Sequence, residues 1–216
     1  MTDDTDLSDD SLWNGQRYVI DRLADKLCVP ERAQRIVDAL HRYLADEYTC
    51  RALCFCVNKK HADFMASQLQ KYGFGAQSLT SDTPQPQRKQ LATDLRNGLV
   101  HYLCVVDIFN EGVDIPEVDT VLFLRPTDSL TIFLQQLGRG LRLSPGKTEL
   151  TVLDFVAQAH KKYVRLKIPC PDFASREEHR PTDNERLYPF TYRVQYHHGK
   201  AGPAIHFREH SASHLQ

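Results

Sequence analysis

The sequence predicts an α/β protein with a doubly wound, mainly parallel sheet. Three observations carry this. Compact apolar runs at 51–57, 101–109, 119–125 and 149–156 are unbroken instead of alternating, as strands buried on both faces are. Segments with helical spacing lie between most of them. The strand–helix alternation recurs at the short intervals that parallel crossovers need, and those crossovers are expected to be right-handed.

Each element follows from its local signals. Residues 1–11, with the acidic stretch MTDDTDLSDD, read as a disordered leader. Residues 12–48 read as a helical linker segment: SLWNGQRYVIDRLADKLCV, then a new helix opened by Pro30, with Ile36, Val37, Leu40, Tyr43 and Leu44 on one stripe. Residues 49–167 hold the α/β domain. RALCFCV (51–57) is a strand, KKHADFMASQLQKYGF (59–74) a helix ended by Gly73, and AQSLT (76–80) a short strand. PQPQRKQLATDLRNG (84–98) is a helix ended by Gly98, followed by the strands HYLCVVDIF (101–109) and DTVLFLR (119–125). DSLTIFLQQLG (128–138) is a helix with Asp128 as N-cap, and ELTVLDFV (149–156) is the last apolar strand. Residues 168–216 read as an irregular tail, rich in proline and charge, with a hairpin suggested by FTYRVQY and AIHFRE around HHGKAG.

Composition narrows the function. Among 216 residues, 41% are hydrophobic, enough for a full core, and the net charge is −1. Any contact with a polyanion must therefore come from a local basic surface. The six cysteines, at 28, 50, 54, 56, 104 and 170, form no C-x-x-C pair, and Cys54 and Cys56 read as small core residues. With no signal peptide and no apolar run near 18 residues, a cytoplasmic protein without a membrane partner is expected. The histidines at 197, 198, 206, 210 and 214 lack paired cysteines or carboxylates at ligand spacing, so no metal site is expected.

The densest chemistry lies in QQLGRGLR. Gln135, Gly138, Arg139 and Arg142 put two guanidinium groups on a glycine-rich backbone just after a helix. Such groups suit bidentate binding of phosphate; an ordinary salt-bridge pair at a helix end is the alternative. Upstream, VVDIFNEGVDIP places Asp107, Gly112, Asp114, Ile115 and Pro116 after a strand, where doubly wound sheets meet their ligands. Gly112 would let backbone approach a ligand closely. Gln85 and Arg88 open the helix after the second strand, and Asn58 and Lys59 follow the first.

In this order, the four segments resemble motifs of superfamily 2 helicases. ALCFCVNKKHADFMASQL resembles motif IV, and Gln85 with Arg88 the Q-x-x-R segment. The run from Val106 to Pro116 resembles motif V, and Gln135-x-x-Gly138-Arg139-x-x-Arg142 resembles motif VI. The resemblance covers about residues 12–165. It is strongest to the second, C-terminal RecA-like motor lobe of DEAD/DEAH-type bacterial helicases that often carry a phospholipase-D-like nuclease domain before the motor. The helices at 12–46 resemble the segment that joins the two lobes of such motors.

This resemblance implies ATP and Mg2+ as cofactors, shared with a first lobe. Gly112, Asp114 and Gly138 would contact the nucleotide, Asp114 at the ribose. Gln135 would orient the phosphates or the attacking water. Arg139 and Arg142 would act as arginine fingers, a role that contributes about 10³ to 10⁵ in rate elsewhere. Asn58, Lys59, Gln85, Arg88 and Asp107 would meet nucleic acid, DNA more than RNA. Four of these have an ordinary alternative: a helix start in solvent for Asn58 and Lys59, a local structural bond for Gln85 and Arg88. Val106 stands where the family commonly has threonine, which removes one hydroxyl contact to phosphate. The basic run Lys161, Lys162, Arg165 and Lys167 reads as a solvated face before a phosphate track.

The sequence contains no G-x-x-x-x-G-K-[ST] and no D-E-x-H or D-E-x-D box. Gly146-Lys147-Thr148 lacks the upstream glycine and precedes a strand, whereas a phosphate loop follows one. The chain is thus expected to be half of a motor's active site, inactive alone and dependent on a complementary N-terminal lobe in cis or trans. The alternative is a non-catalytic binding or regulatory module derived from such a lobe.

Overall fold

The computed structural model of the protein describes residues 5–106, 115–126, 147, 149–155, 190–199 and 202–209, the last two stretches and Glu149 as backbone alone. The expected helix 128–138 and the linker at 168–189 lie outside the described residues, as do Asp107, Gly112, Asp114, Gln135, Gly138, Arg139 and Arg142.

Strands β1 (Ala52–Phe55), β2 (Ala76–Leu79), β3 (Tyr102–Val105), β4 (Thr120–Phe123) and β5 (Glu149–Asp154) lie in the order β2-β3-β1-β4-β5. All four pairings among them are parallel, with Cys54 level with Cys104 and with Leu122. β1 and β4 are shorter than the apolar runs that announced them: Cys56, Val57 and Leu124 are buried just past the strand ends. The helices α3 (Lys59–Lys71) and α4 (Gln85–Asn97) cover opposite faces. Ala62, Met65, Ala66 and Leu69 of α3 join one core with α2 (Pro30–Tyr43) and the thiols of Cys50, Cys54, Cys56 and Cys104. Leu91 and Leu95 of α4 join the other with Phe55, Phe123, Leu150 and Val152. This is the doubly wound parallel sheet that the sequence predicts.

Helix ends obey local chemistry. Asn58 caps α3, its side-chain oxygen accepting from the His61 amide at 3.0 Å. Gly98 ends α4 in the left-handed region at φ +72°, where the Gly98 amide reaches the Leu95 carbonyl.

Two expectations at the amino end are corrected. The helical pattern over 11–29 yields an α-helix only at Ile20–Leu27, here α1, after a single 3-10 turn at Asp10–Leu12. Asn14 and Gly15 break it: the Asn14 side chain accepts from the Gln16 and Arg17 amides, Gly15 takes φ +101°, and Trp13 bridges to Tyr18 edge to face. The leader reading fails for residues 5–11. Leu7 is 0% exposed and packs with Leu12, Tyr18, Leu23, Ala24, Leu27 and Val57. One leucine among acids is invisible to average composition, yet it fills a third, small core.

The tail is more regular than expected. Strands β6 (Phe190–Gly199) and β7 (Gly202–Glu209) form an antiparallel hairpin, longer than the sequence suggested, and β6 pairs antiparallel with β5. The hairpin extends the sheet to seven strands.

Candidate nucleic-acid interface and nucleotide loops

Because β1 to β5 are parallel, the sheet has two chemically different poles. At the carboxyl pole the chain leaves β1 into Asn58 and Lys59, and leaves β2 into Thr80–Thr83 and then α4. It leaves β3 through Val106 toward Asp107, and β4 through Leu124 and Arg125. The structure brings together the four described residues expected to meet nucleic acid. Lys59 Nζ pairs with Asp82 Oδ1, joining loops from the two strands that flank β3. Arg88 shapes the same loop: its Nε donates to the Thr83 carbonyl and an Nη to the Ser81 carbonyl. Gln85 starts α4 beside it and is exposed. Arg88 thus makes the local bond that was one of its two readings, and in doing so holds Asp82 where Lys59 finds it.

Asn58 does two jobs. Its oxygen caps α3, and its Nδ2 donates to Asp21 Oδ1 of α1 at 3.3 Å. Next to Lys59, Lys60 pairs with Asp25 of α1, and this carboxylate holds the Lys60 ammonium above its ordinary pKa.

Sequence reasoning missed two buried groups beneath this pole. Arg32, in the first turn of α2, is 1% exposed. Its Nη2 donates to the Leu124 and Phe155 carbonyls, both at 3.1 Å, which lie just past the ends of β4 and β5. The signal was a charged residue one turn before Ile36, on the apolar stripe of its helix. A guanidinium is buried only where acceptors await it. His61, fully buried, accepts the Val57 amide on Nδ1 at 3.2 Å. Burial, and then the neighbouring Arg32 charge, push its imidazole down to about 3, so it is neutral.

The amino pole holds a different network. The Arg51 amide and the Thr120 hydroxyl both donate to Asp119, and Arg96 pairs with Glu117. Lys147 donates to the Pro116 carbonyl at 3.2 Å; burial pushes its ammonium down to about 8, against the pull of Asp119 and Glu117. Pro116 and Asp119 precede β4, so the lysine of Gly146-Lys147-Thr148 stands at the pole away from the carboxyl-end loops. Among the described residues, no three His, Cys, Asp or Glu side chains are arranged to hold a metal ion. No helix of the described residues is long and apolar enough to cross a membrane.

The sheet order, the helices on both faces and the grouping of the described motif residues at one pole define a RecA-like α/β lobe. Residues 35–144 match the helicase conserved C-terminal domain, and the chain belongs to that family. It represents the C-terminal lobe of superfamily 2 helicases. It is 36% identical over 104 residues to a Saccharomyces cerevisiae protein described as "Putative ATP-dependent helicase IRC3", covering 48% of this chain and 15% of that protein. It is 27% identical over 161 residues to the type I restriction enzyme EcoKI endonuclease subunit of Escherichia coli, covering 68% of this chain and 14% of that one. The chain thus spans about one-seventh of the length of these relatives. The crystal structure of the E. coli DEAD-box protein SrmB bound to RraA shares the fold, with a TM-score of 0.50 at 22% identity over 60% of this chain and 72% of that one.

Proposed function

We propose that this chain supplies the second half of an ATP-dependent nucleic-acid motor and hydrolyses ATP only with a complementary first lobe, in cis or in trans. The observation that carries the proposal is the motif order: Asn58 and Lys59, Gln85 and Arg88, Asp107 to Asp114, then Gln135 to Arg142. These segments fall inside one family match, and the described ones leave the sheet at one pole.

In this reading, Gly112, Asp114 and Gly138 receive the nucleotide, and Asp114 accepts from a ribose hydroxyl. Gln135 orients the phosphates or the attacking water. Arg139 and Arg142 face the charge that develops on the transferred phosphoryl group. Asn58, Lys59, Gln85, Arg88 and Asp107 line the track of a single strand, with DNA preferred. Magnesium, when bound, would neutralise phosphate charge and is assigned to groups of the first lobe.

The geometry of closure sets the kinetics. The first lobe holds the ground-state nucleotide, and the second lobe meets the γ-phosphate when nucleic acid draws the two together. An arginine that arrives at closure stabilises the transition state more than the substrate. Steady-state ATPase assays of the reconstituted pair, at saturating single-stranded nucleic acid, test this. Arg142→Ala is expected to lower kcat by about two orders of magnitude with KM changed far less. Arg142→Lys is not expected to restore it, because an ammonium lacks the planar fork. Asp114→Ala is expected to act mainly through KM. An unchanged kcat in Arg142→Ala returns the arginine cluster to a helix-end salt bridge, and with it favours a non-catalytic module.

A further inference from the structure

Three consecutive residues at the amino terminus of α3 each meet an acid from another part of the chain. Asn58 donates to Asp21, Lys59 pairs with Asp82, and Lys60 pairs with Asp25. Asp21 and Asp25 stand one turn apart on α1, hence on one face of it. The opposite side of α1 fixes that face in place: Leu23, Ala24 and Leu27 are buried with Leu7, Leu12, Tyr18 and Val57, the last of these at the end of β1. Asp82 is placed independently, by the loop that Arg88 holds through the Ser81 and Thr83 carbonyls.

These acids face donors that point outward from a helix amino terminus, where the backbone dipole already favours an anion. The two ion pairs are exposed: Lys60 and Asp25 keep 65% and 63% of their side-chain surface, Lys59 and Asp82 47% and 74%. Such pairs are individually weak and screened by salt. A polyanion with a dense row of phosphates can displace them.

We propose that Asp21 and Asp25 of α1, together with Asp82, act as built-in competitors for the sugar-phosphate backbone, occupying Asn58, Lys59 and Lys60 until a nucleic-acid strand displaces them. The inference rests on the reading that the start of α3 meets nucleic acid, and it adds Lys60 to that surface. It gives the amino-terminal segment a role: α1 sets the threshold at which the lobe engages a strand. Weak, unspecific polyanion binding is suppressed, and a continuous strand with several phosphates in reach prevails.

The test is fluorescence anisotropy of a labelled oligo-dT strand with the 216-residue chain over a series of salt concentrations. Asp21→Asn with Asp25→Asn removes two charges with little change of shape and leaves the small core intact, which melting curves verify. The reference is Asp38→Asn with Asp94→Asn. It removes the same two charges from α2 and α4, where the carboxylates accept from Gln34 and Gln90 of their own helices. The α1 variant is expected to bind about fivefold or more tightly at low salt, with a gain that shrinks as salt rises, while the reference pair gains less than about twofold. Lys59→Gln with Lys60→Gln probes the underlying surface and is expected to weaken binding. If the lysine variant weakens binding but the α1 variant gains no more than the reference, the competitor inference is overturned and the surface stands. If the lysine variant binds like the parent, the surface reading fails and takes the inference with it. Binding by the α1 variant where the parent shows none supports the inference; no binding by either overturns it.

Discussion

His61 has no exposed surface, and its Nδ1 is committed to the Val57 amide. Its ring therefore stays neutral in the fold until the pH approaches about 3. In the unfolded chain an unperturbed histidine takes up a proton below about 6.5. Between these two values the unfolded state binds more protons, so stability is full above 6.5 and falls as pH drops. The loss is about 1.4 kcal/mol per pH unit in that window. Denaturant midpoints at pH 7, 6 and 5 check this. The parent should lose stability steadily below 6.5, and His61→Gln, although destabilised at pH 7, should lose it less steeply. Equal slopes would show that other groups carry the acid sensitivity.

At the scale of elements, α4 shows how a turn residue sets a boundary. Gly98 holds φ +72° with nothing within 4 Å of where a Cβ would stand, so space is no obstacle and backbone strain alone acts. Gly98→Ala is expected to cost about 1 kcal/mol in urea unfolding, with Gly98→Asn milder, since asparagine tolerates the left-handed region. An unchanged midpoint for the alanine variant would refute this. The same boundary was legible in the sequence, because Gly98 follows an amphipathic run directly. Four of the five parallel strands were legible too, since burial on both faces leaves Leu53, Cys54 and Phe55, or Val121, Leu122 and Phe123, with no polar alternation; the short β2, with Gln77 exposed, shows no such run. What escaped depends on contacts distant along the chain. Leu7 among its acids and Arg32 on an apolar stripe make sense only once Val57 and the ends of β4 and β5 are beside them. The interface behaved likewise: motif spacing singled out Asn58, Lys59, Gln85 and Arg88. The acids that meet Asn58 and Lys59, Asp21 and Asp82, carry no such spacing.

For the molecule as a whole, the hairpin matters most at the sheet's edge. β5 pairs with β4 on one side and with β6 on the other, Leu150 level with Val194 and Val152 with Tyr192. A chain shortened to residues 1–167 would leave that side of β5 without its partner strand, a template for pairing with another copy. Light scattering of the shortened chain should show mass rising with protein concentration more steeply than that of the full chain; an equal concentration dependence of the two would show that β5 needs no cover. At the same edge, the Arg32 bonds join groups 92 and 123 positions apart along the chain. Closing loops of that length costs entropy that only an assembled β4–β5 pair repays. On a ribosome the order of synthesis and the order of docking are then opposed. The helix that carries Arg32 emerges early, yet the second carbonyl that its guanidinium donates to exists only after Phe155 has been made, so Arg32 is expected to be among the last side chains of the lobe to find its bonds.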